Sequence, residues 1–143
     1  PKSGFPPARM QGAMPSNMWL YMVGPQWAKR LQLTGDLIRG SDAATIGLVL
    51  KSVPADRLRA ETDTLAARLA LIDPDLLSAN KRIINLGLEL MGARTLQRLA
   101  AEMDARGHLS PSRAKFNTVV KESGLREAVR QRDEPFGDSL VEL

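Results

Sequence analysis

The stretch Leu31-Gln32-Leu33-Thr34-Gly35-Asp36-Leu37-Ile38, followed by Ser41-Asp42-Ala43-Ala44-Thr45-Ile46-Gly47-Leu48-Val49 and then Val53-Pro54, decides how this chain is read. It asks the backbone to change direction three times over a short span. Thr34-Gly35-Asp36 stops the helix before it, because glycine tolerates positive φ and aspartate favours turns. Ser41 is placed to cap a short helix over residues 42–46 with its side-chain oxygen. Gly47 is placed to end that helix. Residues 48–53 read as a short strand, and Pro54 opens the next helix where no N–H is needed. None of these residues carries reactive chemistry of its own.

Working outward, Ser16 is positioned to cap a helix through Val23 that Gly24 stops, and Pro25 begins a second helix reaching Leu33. Trp27, Ala28 and Leu31 face inward on it; Lys29 and Arg30 face out. Residues 1–15 hold four prolines, two glycines and no acid, which predicts irregular structure. Downstream, Leu58, Leu65, Leu69 and Ile72 mark a helix over 55–72, supported by an Arg57–Glu61 pair one turn apart. Asp73-Pro74 caps and opens the next helix, whose stripe of Leu77, Ile84, Leu88 and Met91 stops at Gly92. Leu96, Leu99, Ala100 and Met103 define a helix over 93–106, ended by Gly107. Ser110-Pro111 repeats the cap-and-proline signal for a helix to Gly124. A short last helix covers 125–132, and 133–143 reads as a tail. A lone strand in such a chain has no partner, so either a sheet is completed by residues elsewhere or 48–53 is not a strand.

Composition narrows the chemistry. The chain has 143 residues, of which 43% are hydrophobic and 25% charged, the balance of a globular protein. There is no cysteine, which removes disulfides and thiolate catalysis and fits a reducing compartment. Net charge is +4 and the isoelectric point about 9.9, which suits an anionic ligand but is also what an ordinary solvated surface can carry. No apolar run approaches the ~18 residues of a membrane helix. The sequence starts at Pro1 without an initiator Met, which processing or a shortened chain would equally explain.

Glycine-rich phosphate loops, His-Glu-x-x-His and metal-ligand spacings are all missing. His108 is the single histidine and sits beyond a helix end, where the surface reading prevails over catalysis. Glu61 with Asp63, and Glu102 with Asp104, lie two apart on helices and do not face each other. Lys2, Arg9, Lys29 and Arg30 are the only charges before Asp36, a local pull on an anion or a chance of composition. Met10, Met14, Met18, Trp19, Tyr21, Met22 and Trp27 form a methionine–aromatic group that reads as core or as a pocket for an acyl chain.

Taken in order, Val23-Gly24, Ala28-Lys29, Leu33-Thr34-Gly35-Asp36, Asp42-Ala43, Gly47-Leu48-Val49 and Val53-Pro54 resemble the enoyl-CoA hydratase/isomerase (crotonase) family. Lys81 and the segment 132–136 extend the likeness toward the end of the chain. The resemblance implies an α+β, α-rich architecture: the C-terminal helical part of a crotonase-like ββα-spiral fold, with at most one or two short strands. Residues 1–54 would close the spiral core with an acyl-pocket loop and helix and end in a short edge strand. Residues 55–143 would form a helical trimerisation region and tail.

The implied activity is hydration or isomerisation of an enoyl-CoA thioester through an enolate held in an oxyanion hole, with this chain as a fragment. The alternative is a non-catalytic acyl-CoA-binding homologue; a remote one is a basic helical module for nucleic acid or protein. Implied partners are an acyl-CoA thioester, further copies in a homotrimer or dimer of trimers, and the N-terminal half of the same protein, with no nucleic acid and no membrane span. The location implied is cytoplasmic, with no cofactor or metal beyond the coenzyme A carried by the substrate. Met10, Gly12, Met14 and Trp19 would lie beside the acyl portion. Arg132 would lie near the CoA phosphates, or serve as a structural arginine. No catalytic residue is identified in this chain: the first hydratase glutamate belongs upstream, and the second falls near Ser3-Gly4-Phe5, where no carboxylate stands.

Overall fold

The computed structural model describes residues 18–143. The expectations placed on Ser3-Gly4-Phe5, Met10, Gly12, Met14 and the Ser16 cap lie outside the described residues. Among the described residues six helices follow one another: α1 (Trp19–Thr34), α2 (Gly40–Thr45), α3 (Leu58–Ala70), α4 (Pro74–Leu90), α5 (Ala93–Gly107) and α6 (Pro111–Asp133). Single 3-10 turns at Ala55–Arg57 and Glu134–Phe136 lead into α3 and out of α6.

α1 and α6 are each two limbs rather than one rod. Gly24 takes φ 73 and ψ 173 inside α1, and Gly124 takes φ 84 and ψ 163 inside α6. That backbone region is open essentially to glycine alone. The breaks fall where the sequence places helix ends, and Pro25 follows the first one because its missing N–H is tolerated at a helix start. α1 closes on Gly35, whose N–H donates to the Leu31 carbonyl at 3.1 Å. Thr34 Oγ1 accepts from the Asp36 N–H at 3.2 Å, and Arg30 pairs with Asp36 at 2.7 Å. The turn is thus set by three side chains, as the Thr-Gly-Asp sequence requires.

α2 departs from expectation at its start. Its N-cap is Arg39, extended at φ −68 and ψ 152, and no side chain caps it. Ser41 lies inside the helix with Oγ 3.2 Å from Asp42 Oδ1. The helix begins earlier because Gly40, which can approach Ser52 closely, takes its first position. Gly47 ends the helix as expected, its N–H reaching Ala44 at 3.2 Å.

Residues 48–53 form no strand. The N–H groups of Leu48 and Val49 both turn back to the Ala43 carbonyl, at 2.8 and 3.3 Å, so the donors at the start of the expected strand are consumed by the end of α2. The strand-like pairing among the described residues is a parallel bridge between Leu37 and Leu140. Leu37 N–H donates to Ser139 at 2.8 Å, and Val141 N–H donates to Leu37 at 2.8 Å. The terminal segment is accordingly not a loose tail. It returns as a strap over residues 138–143 and buries Val141 in a cluster with Leu31, Ile38, Ala43 and Leu48. Trp19, Val23, Trp27 and Ile46 pack around that cluster.

The remaining helices are well signalled and sparsely covered. Asp73 Oδ1 accepts from the N–H groups of Asp75 and Leu76 at 3.0 and 3.2 Å, and Ser110 Oγ accepts from Arg113 at 3.4 Å. α3 is shorter than 55–72, because the chain leaves Pro54 through a 3-10 turn and frays after Ala70. Gly107 is the last residue of α5 rather than a stop in the left-handed region, and the chain exits through His108. Leu58, Leu65 and Leu69 on α3, Ile72 just beyond it, Ile83, Ile84 and Leu90 on α4, and Leu99 and Met103 on α5 lie open to solvent. Their helical spacing is that of core faces, yet the described residues supply nothing to cover them. No helix among these residues is long and apolar enough to cross a membrane.

Candidate functional site

α1 carries Trp19, the sequence-predicted acyl contact that falls among the described residues. Its first turn contains no acid, and Met18 precedes it without a side-chain cap. Trp19, Val23 and Trp27 recur at four-residue spacing and turn one face to the cluster around Leu31. Leu20 and Met22 are exposed. Tyr21 Oη donates to the Met91 carbonyl at 3.2 Å, which ties the first limb of α1 to the end of α4. An open groove of about 210 Å³ runs beside the second limb, where Leu20, Pro25, Leu33 and Leu96 make apolar walls and Lys29 stands among them.

Arg132 occupies a different setting. Its guanidinium donates to Asp133 through Nε at 2.7 Å and through a terminal nitrogen at 2.9 Å, and it lies 5.8 Å from the centroid of Phe116. The side chain is 9% exposed. Trp19 and Arg132 thus belong to separate clusters.

The carboxylates do not assemble into proton-transfer machinery. Asp36, the first acid of the chain, is held by Arg30. Glu127 accepts from Arg130 and Gln131, and those bonds hold its carboxyl down at about 2. Glu61 is also lowered, first by the hydrogen bond and charge of Lys51 and then by Arg57. A carboxylate held ionised in this way is poorly matched to donate a proton near neutral pH. His108 Nδ1 rests 2.9 Å from the Asp104 carbonyl on the surface. Among the described residues no three His, Cys, Asp or Glu side chains gather as metal ligands would.

What this arrangement offers is an aromatic-edged helix, an apolar groove and large uncovered faces. The sequence pattern of the enoyl-CoA hydratase/isomerase family matches residues 7–127. The chain belongs to that family. It superposes on the crystal structure of an enoyl-CoA hydratase from Mycobacterium smegmatis with a TM-score of 0.86 and 37% identity, over 95% of this chain and 47% of that one. An enoyl-CoA hydratase/isomerase from Xanthobacter autotrophicus Py2 superposes with a TM-score of 0.78 and 36% identity, over 84% of this chain and 46% of that one. EchA13 of Mycobacterium tuberculosis, provisionally named an enoyl-CoA hydratase, is 36% identical over 69 residues, which are 48% of this chain and 22% of that protein. The chain spans about half the length of the solved relatives. The fold is that of the helix-rich portion of a crotonase-like protein, and the uncovered faces of α3, α4 and α5 belong to that portion.

Sequence reasoning missed the strap, the Tyr21–Met91 bond and the Lys51–Glu61 pair at 2.6 Å. The apolar Leu140-Val141 beside the acids Asp138 and Glu142 was the available signal for the strap.

Proposed function

We propose that this chain is the helical, C-terminal part of a protein that binds an acyl-CoA thioester and hydrates or isomerises its enoyl group, working in the cytoplasm as a homotrimer or dimer of trimers. The observation that carries this reading is the superposition of nearly all of this chain on about half of an enoyl-CoA hydratase. The chemistry asks for two things: donors aimed at the thioester oxygen as an enolate develops, and groups that move the α-proton and water. The described residues supply neither. Their part is to shape and dry the acyl side, with Trp19 on its edge; Met10, Gly12 and Met14, earlier in the sequence, are assigned to the same side on the family likeness. The substrate brings its own coenzyme A, and no further cofactor enters. We assign Arg132 to bracing α6 rather than to the CoA phosphates, since its guanidinium is engaged by Asp133 and Phe116.

A second reading is a non-catalytic acyl-CoA binder of the same fold. It is favoured by the absence of a carboxylate at Ser3-Gly4-Phe5 and throughout residues 1–35. The intact protein, given enoyl-CoA thioesters of increasing chain length, separates the two. Loss of the conjugated thioester absorbance establishes the enzyme. Calorimetric binding without turnover establishes the binder. Neither binding nor turnover by the folded protein overturns both.

A further inference from the structure

Val141 and Trp19, 122 positions apart in sequence, meet one apolar cluster. Its other members are Leu31 from α1, Ile38 from the turn after it, Ala43 from α2 and Leu48 from the turn after that. No member comes from α3, α4, α5 or α6. The strap reaches this cluster with one apolar side chain, Val141, which is 4% exposed, and two backbone hydrogen bonds to Leu37 of 2.8 Å each. Beyond it Leu143 is exposed. The strap therefore closes one local cluster and leaves the long helices to other contacts.

Trp19 depends on that cluster more than its place on α1 implies. The break at Gly24 interrupts the helix between Trp19 and Leu31, so the second limb does not rigidly carry the first. What locates Trp19 is packing against the cluster together with the Tyr21–Met91 bond.

We propose that the strap positions the acyl-facing limb of α1: Val141 completes the cluster against which Trp19 packs. Val141 is a positioning residue and touches no substrate. The substrate part of the proposal rests on the reading of Trp19 as an acyl contact.

The test uses the protein with its N-terminal portion present, either truncated after Asp138 or carrying Val141→Ala, with Leu143→Ala as the exposed-site control. Each is also made with Trp19→Phe, and the difference in emission between the two versions reports Trp19. Amide exchange, Trp19 emission and crotonyl-CoA affinity are measured together. The truncated protein and Val141→Ala are expected to exchange faster at Leu37 and Leu48 by about tenfold or more, a factor equal to about 1.4 kcal/mol. Amides of α4 and α5 stay protected, Trp19 emission shifts, and crotonyl-CoA binds at least about tenfold more weakly. Leu143→Ala leaves all three unchanged. Unchanged exchange at Leu37 in the truncated protein overturns the proposal. So does loss of protection spread through α3–α6, which would make the strap a general core staple. Faster exchange with unchanged Trp19 emission overturns it too. If the parent protein binds no acyl-CoA, the proposed function fails, while exchange and emission still decide whether the strap positions Trp19.

Discussion

Arg132 lies with its guanidinium 5.8 Å from the ring centroid of Phe116, on the far side of the Gly124 break. The first limb of α6 supplies the ring and the second supplies the cation, so the contact spans the elbow between them. Asp133 holds the same guanidinium with bonds of 2.7 and 2.9 Å. A planar fork can bind a carboxylate with two bonds while its face lies against a ring, and an ammonium has no such fork. Replacing Arg132 with Ala is expected to lower stability by about 1–2 kcal/mol, and Arg132→Lys to recover only part of it. A double-mutant cycle with Phe116→Leu isolates the ring contact. A coupling of about 0.5–1 kcal/mol in urea unfolding is expected; additive losses would show that the ring is a bystander.

The elbow itself should not tolerate a side chain. At Gly124 an added Cβ would meet nothing within 4 Å, and the same holds at Gly24. Any loss on substitution there comes from the backbone alone. Gly124→Ala and Gly24→Ala are each expected to lose about 1–3 kcal/mol, the cost of holding an L-residue in that region. The alternative is that the helix straightens to escape the strain. Circular dichroism distinguishes these, since straightening raises the helical signal while strain lowers the unfolding midpoint. For Gly124, straightening would also separate Arg132 from Phe116 and abolish the coupling above.

These two glycines show what was legible in the sequence. Gly24-Pro25 and Gly124 mark breaks because glycine and proline act locally, through φ and a missing donor. Asp73-Pro74 and Ser110-Pro111 read equally well, since a cap needs only its own next few residues. Leu48 to Val53 misled because a short apolar run with β-branched valines describes a strand without saying whether a partner exists. Its first donors went to Ala43 instead. The strap was missed for the converse reason: a parallel bridge from Leu140 to Leu37 is a contact across a hundred residues that no local pattern encodes. The family was legible as a likeness, while the hold of Asp133 and Phe116 on Arg132 was not. Position along a helix does not reveal that a guanidinium is already engaged.

Gly40 opens α2 under a tighter constraint. A Cβ built there would lie 2.9 Å from Ser52 Oγ. The obstacle is the end of a side chain that can rotate, so the expected loss for Gly40→Ala sits at the low end of overpacking, about 1 kcal/mol. Ser52→Ala on the same background should restore most of it by removing the oxygen. Thermal unfolding of the two single variants and the double variant checks this. A Gly40→Ala loss that survives Ser52→Ala would place the constraint in the backbone.

Acid should loosen the second limb of α6 before it reaches the capped helices. Glu127 accepts from Arg130 at 2.7 and 2.9 Å and from Gln131 at 2.8 Å, which holds its carboxyl at about 2 against an ordinary 4.5. Because the folded value lies below the unfolded one, the contribution of Glu127 is fully present above about 4.5. It is lost as pH falls from there toward about 2. Arg130 also reaches Glu134 at 3.1 Å, and its own value moves up, so it stays charged throughout. The pair is solvent-facing, so added salt should shrink the effect. Amide exchange over 125–133, followed from pH 5 down to pH 2.5, is expected to accelerate beyond the intrinsic trend in the wild-type chain. In Glu127→Gln, which cannot titrate, that extra acceleration should vanish. Identical profiles for the two proteins would mean that Ala128 and the Arg132 brace, rather than the Arg130 network, hold the limb in place.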